Sequence, residues 1–129
     1  MSGRFLLDTN VVIALFRKDK AVIEAIRHAD EVFIPVIVLG ELYYGARKSA
    51  HADENVDRIT DLARTGSLLS VDEKTAEFYG TVKNALRTSG TPIPENDIWI
   101  AAVARQHGLT IVTRDEHFRK VEELLLAEW

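Results

Sequence analysis

Along the chain, short apolar runs that stop abruptly at polar residues alternate with stretches of helical periodicity. Residues 4–10, RFLLDTN, set the pattern: Phe5, Leu6 and Leu7 run straight into Asp8, Thr9 and Asn10. A run this short and apolar predicts a buried strand over 4–8. Helical spacing resumes at once in VVIALFRKD, for which Asn10 is a suitable N-cap. A second helix is expected over 19–29, with Val22, Ile23 and Ile26 on one face. The segment 31–34 reads as a strand that breaks at Pro35, a residue well tolerated at a helix start. A helix over 36–48 carries Val38, Leu42 and Gly45 on one stripe with Glu41 beside it.

The second half repeats the alternation. Residues 53–65 predict a helix with Val56, Ile59, Leu62 and Ala63 inward. SLLSVD (67–72) reads as a strand and 73–88 as a helix. GTPIPEND (90–97) is a loop with an Asx-type helix start, and the helix over 97–108 ends at Gly108, where glycine accepts a left-handed cap. LTIVTRD (109–115) is a strand, and 118–127 reads equally as a helix or a short edge strand. Strands alternating with helices predict an α/β fold, an open and mostly parallel sheet covered on both faces. Such sheets bind ligands beyond the carboxyl ends of their strands, where the strand order reverses. A carboxylate just past a buried strand therefore sits where the fold puts its chemistry.

Composition narrows the classes. The chain has 129 residues, enough for one domain (1–129) with one core. Hydrophobic residues make up 47% and charged residues 28%, as in ordinary globular proteins. Cysteine is absent, which excludes disulfides, thiolate metal sites and a cysteine nucleophile. The apolar runs are too short to span a membrane, and MSGRFLL lacks a signal-peptide core, so a cytoplasmic location is expected. The net charge of −4 argues against non-specific coating of nucleic acid, but not against a nuclease whose acids are offset by metal.

Four acids stand out. Asp8 and Asp115 each follow a strand, Glu41 lies in the helix after the second strand, and Asp97 begins the helix before the strand at 109–115. Glu41 and Asp97 are set in apolar sequence, IVLGELYYGA and ENDIWIAAVA, and only Asp115 has a basic neighbour, Arg114. Singly, each has a plainer reading. Asp97 is first of all a helix cap, Asp115 a turn residue, and Glu41 stands evenly between a site and a solvent-facing acid. Jointly they would repel one another in one crevice, and a hard divalent cation with oxygen ligands is their natural partner. Such a cation usually completes its shell with water and substrate phosphate, which points to phosphodiester chemistry.

These residues resemble a known family. LLDTNVVIAL (6–15), IPVIVLGELYYGA (34–46), ENDIWIAAVARQHGLTIVTRD (95–115) and HF (117–118) are similar, in order and spacing, to PIN domains, and specifically to the VapC-type toxins of toxin–antitoxin pairs. The resemblance covers nearly the whole chain. It implies a three-layer α/β/α sandwich and a Mg²⁺- or Mn²⁺-dependent endoribonuclease. It also implies a VapB-type antitoxin partner and a homodimer. The acidic site maps onto Asp8, Glu41, Asp97 and Asp115, the polar residue after the first strand onto Asn10, and the late hydroxyl onto Thr113. Where many members carry a further acid this chain has His117, a departure that bears on a second metal position; the readings are a metal ligand, a substrate contact or neither, with an unremarkable surface histidine the favoured one.

On this reading Asp8, Asp97 and Asp115 hold a cation, with Glu41 as a ligand or an outer acceptor. Thr113 orients Asp115 or water; Asn10 does the same or only caps its helix. Tyr43, Tyr44 and Trp99 are candidate base-stacking residues, with core or interface the simpler place for Tyr43 and Trp99. Arg47, Lys48, Lys83, Arg87 and Arg105 are candidate guides for the RNA backbone, or simply a solvated face. Two other classes compete. A phosphoacceptor domain using Asp8 would want a second acid near the first strand, or DxD, where this chain has Asn10. A non-catalytic, partner-binding relative would have lost one of the acids.

Overall fold

The structure is a computed structural model and describes residues 3–129. Five strands form one sheet in the order β3-β2-β1-β4-β5, and every neighbouring pair is parallel. The strands are β1 (Arg4–Leu7), β2 (Glu31–Pro35), β3 (Ser67–Leu69), β4 (Thr110–Val112) and β5 (Leu126–Ala127). The helices are α1 (Thr9–Phe16), α2 (Lys20–His28), α3 (Val36–Arg47), α4 (Ala52–Thr65), α5 (Glu73–Thr88) and α6 (Glu95–His107).

The chain steps outward from β1 to β2 to β3, then returns to β4 on the other side of β1. Because parallel crossovers are right-handed, that reversal covers both faces with helices and yields the three-layer sandwich. The central strands are buried on both faces and so read as continuous apolar runs. Leu6, Leu7, Ile111 and Val112 are enclosed, and Val11, Val12, Val38, Val82, Ile100 and Val103 come in from the helices above and below. α5 packs along α6, and α3 along α4.

Local chemistry moves several boundaries. Asp8, not Asn10, caps α1: its carboxylate accepts the Thr9 N–H and its carbonyl accepts from Val11 and Val12. Asn10 lies inside the first turn and uses its side chain elsewhere. β3 ends at Leu69 rather than at residue 72, because Asp72 is taken by a capping box with Thr75 that starts α5. Pro94 is the N-cap of α6 and makes no side-chain bond, so the Asx-type start does not form. Gly108 adopts φ 65°, the left-handed cap expected of it. The ambiguous tail divides: Glu116–Lys120 is a 3₁₀ turn anchored by buried Phe118, and β5 pairs with β4 at the sheet edge.

Candidate active site

β1 and β4 flank the point where strand order reverses, and Leu7 is in register with Val112. The next residue on each strand, Asp8 and Thr113, therefore emerges at the same carboxyl edge. The Asp8 N–H donates to the Val112 carbonyl at 3.0 Å, extending the ladder by one rung. The Thr113 hydroxyl then donates to Asp8 Oδ2 at 2.7 Å and accepts the Asp115 N–H at 3.0 Å. Asp8 Oδ1 accepts the Thr9 N–H at 2.8 Å. Asn10 ties the two strand ends together: its Nδ2 donates to Asp8 Oδ2 at 3.3 Å and its Oδ1 accepts the Arg114 N–H at 3.1 Å.

Asp97 reaches the same edge from the first turn of α6. It is 9% exposed, and its carboxylate serves no cap. Its partner is His117, whose Nδ1 lies 2.9 Å from Asp97 Oδ2 and 3.1 Å from Asp115 Oδ1. The same Asp115 oxygen accepts the His117 backbone N–H at 2.9 Å, which opens the 3₁₀ turn. One ligand atom from each of Asp97, Asp115 and His117 falls within 4.8 Å of the other two. These three residues can hold a metal ion.

The electrostatics follow from burial. Asp97 is pushed up to about 6, first by desolvation and then by the charges of Asp8 and Asp115, against the lowering effect of the His117 hydrogen bond. Asp8 is also raised by burial, with the Thr113 and Thr9 hydrogen bonds opposing. Like-charge repulsion is present at both acids, but desolvation is the larger cause.

Glu41 stands apart from this trio. Its Oε1 accepts the Thr9 hydroxyl at 2.8 Å, one residue along from Asp8. It lines an adjoining groove of about 310 Å³ between α1, α3 and α4, with Thr9, Ile13, Phe16, Gly45 and Arg58 among its walls. Thr9 thus links the two regions, with its N–H on Asp8 and its hydroxyl on Glu41.

The expectation of an unremarkable His117 is wrong, because its ring bridges two of the acids. The usable signal was Phe118: a buried aromatic fixes the turn and hence the direction of the histidine before it. Other expectations are sorted by contact. Tyr43 is half-buried and hydrogen-bonds Thr60, and Trp99 stacks on Tyr79 with centroids 3.9 Å apart. Tyr44 is 69% exposed, with the Lys48 ammonium over its ring. Lys83 is paired with Glu95 and Arg105 with Glu123.

The PIN domain family matches residues 5–124. The chain belongs to that family. Ribonuclease VapC2 of Haemophilus influenzae is 34% identical to this PIN domain over 129 residues, 98% of each chain. Ribonuclease VapC5 of Mycobacterium tuberculosis is 32% identical, over 91% of this chain and 87% of its own. Among solved structures, DNA-bound VapBC from Salmonella typhimurium superposes on the PIN domain with a TM-score of 0.90 at 28% identity, covering 98% of both chains. No helix among the described residues is long and apolar enough to cross a membrane.

Proposed function

We propose that this PIN domain is a Mg²⁺-dependent endoribonuclease, also served by Mn²⁺, and the toxin of a VapBC-type toxin–antitoxin pair. The observation that carries the reading is the gathering of Asp8, Asp97 and Asp115 at one sheet edge, with Asp97 buried and raised to about 6. Relatives named Ribonuclease VapC, similar along most or nearly all of their length, support the activity. The donor set fits a hard divalent cation: carboxylates on strand and helix ends, steadied by a hydroxyl and an amide.

The side chains take distinct parts. Asp97 and Asp115 would hold the cation, with Asp8 as a further ligand or an adjoining charge. Thr113 and Asn10 hold Asp8 in one orientation, and Thr113 also positions the Asp115 backbone. Glu41 acts from the Thr9 side as an outer acceptor. A divalent cation there supplies charge neutralisation at the scissile phosphate and a lowered pKa for the attacking water. The phosphoacceptor reading fares worse, because both Asp8 oxygens are already engaged by Thr9, Asn10 and Thr113. The chain is further proposed to form a homodimer, and to bind a VapB-type antitoxin, a reading supported by structural neighbours that are VapBC complexes. Light scattering of the isolated chain at two loading concentrations reads the first; a monomer at both would refute it.

The test of activity is cleavage of RNA by the purified chain. Cleavage should stop in excess EDTA and return with Mg²⁺ or Mn²⁺. Undiminished cleavage in EDTA, by a preparation whose Asp8→Asn variant is inert, would overturn the metal mechanism.

A further inference from the structure

His117 makes a contact that hydrogen bonding does not fully explain. Its Nδ1 faces Asp97 Oδ2 at 2.9 Å and Asp115 Oδ1 at 3.1 Å. An imidazole nitrogen carries at most one hydrogen, so it can direct a proper bond to only one of the two oxygens. Two carboxylate oxygens and a ring nitrogen thus converge from three residues, one ligand atom of each within 4.8 Å of the other two. Separations of about 3 Å are also the distance between adjacent ligands of an octahedral cation, whose bonds are roughly 2.1 Å long.

We propose that His117 is a direct ligand of the cation at this centre, through Nδ1 beside Asp97 Oδ2 and Asp115 Oδ1. The inference rests on the cation-dependent reading above and adds a nitrogen donor to the carboxylate oxygens. The ring is held for that task. The His117 N–H is fixed on Asp115 Oδ1, and the next residue, Phe118, is fully buried. The chemical consequence is selectivity. Magnesium prefers oxygen, whereas manganese and the later divalent metals accept imidazole readily. The centre should therefore favour Mn²⁺ over Mg²⁺ by more than carboxylates alone would give.

Pulsed electron paramagnetic resonance on the Mn²⁺-loaded protein reads the bond directly. The spectrum should carry nitrogen modulation, and its frequencies should move when histidine alone is labelled with ¹⁵N. The modulation should vanish in His117→Gln and persist in His51→Gln. Titration calorimetry should show Mn²⁺ binding weakened on the order of tenfold in His117→Gln, with Mg²⁺ binding changed less than about twofold. Bound Mn²⁺ without histidine modulation in the wild type overturns the proposal, and needs no variant to fold. Retained Mn²⁺ affinity in His117→Gln also overturns it. If that variant binds normally while Asp97→Asn does not, the histidine inference falls and the carboxylate centre stands. If the wild type binds neither cation, both fall.

Discussion

At the scale of single residues, the centre is a set of charges that the fold has partly dried. Thr113 is the smallest part with the most connections, since one buried hydroxyl serves Asp8 and Asp115 together. Thr113→Val keeps the shape and deletes both bonds. It should cost roughly 1–3 kcal/mol in urea unfolding, the usual penalty for under-satisfied buried groups. RNA cleavage should fall steeply, and Thr113→Ser should restore both. Wild-type cleavage in Thr113→Val would remove the hydroxyl from the machinery. Asp97 gives the complementary case. Its folded carboxyl sits near 6 against an ordinary 3.8, so folding favours the protonated form. The associated stability is complete below about 4 and is lost as pH climbs through about 6. Asp97→Asn should remove that part of the slope and melt higher than the metal-free wild type at pH 7. A gain of about 1 kcal/mol is expected, below the ~3 kcal/mol the displaced pKa would carry, because a neutral amide pairs with His117 more weakly than a carboxylate does. The variant should cleave no RNA, and Mg²⁺ should stabilise it less than the wild type. Thermal melts across pH 4–8, with and without Mg²⁺, check each part; a wild-type pH slope in Asp97→Asn would refute the account. At this scale the sequence disclosed the acids through their apolar settings. It singled out His117 but not its contacts with Asp97 and Asp115, which depend on a turn that no periodicity encodes.

At the scale of elements, patterning carried most of the fold. Period-3.6 stripes placed the six helices of the described residues, and α5 falls at the expected bounds, its start fixed by the Asp72–Thr75 capping box. Errors gather where side chains compete for backbone ends. Asp8 displaced Asn10 as a cap, and Asp72 cut β3 short, since an Asp before a helix bonds its first amides more readily than it continues a strand. The tail was ambiguous because a 3₁₀ turn and a two-residue strand are too short to show a period. Gly108 is the clearest element-level determinant. Its φ of 65° ends α6 and turns the chain into β4, and a Cβ built there meets nothing within 4 Å. Gly108→Ala should therefore suffer backbone strain alone, about 1 kcal/mol by chemical denaturation. Cleavage should be unchanged, because the cap lies at the end of β4 away from Thr113. A loss of 3 kcal/mol or more would mean the turn also packs.

At the scale of the whole molecule, an acidic protein (net charge −4) presents an acidic crevice, which suits a cationic inhibitor better than a second acidic surface. An antitoxin segment should therefore place an Arg or Lys against Asp8, Asp97 and Asp115, where a guanidinium can pair carboxylates in a fork. A peptide of that segment should inhibit cleavage, and its Arg→Ala form should bind weakly and inhibit little. A complex structure with the crevice open would contradict this. The global topology was legible because alternating strands and helices admit few arrangements. Which acids meet was less so: chain order could not tell that Glu41 would turn toward Thr9 while Asp97 turned toward His117.

The pairing of β1 with β4 has a consequence in time as well as in space. Asp8 and Thr113 are bonded across 105 positions of sequence. Strands β1, β2 and β3 can pair in the order in which a ribosome delivers them, but β4, with β5 after it, must follow them and settle on the far side of the first strand made. Until residues 110–117 have left the ribosome, Asp8 has no Thr113 to hold it, and Asp97 has neither Asp115 nor His117 beside it. Asp8 is thus made 105 residues ahead of the Thr113 that holds it, and the centre cannot be completed until both ends of that span have emerged.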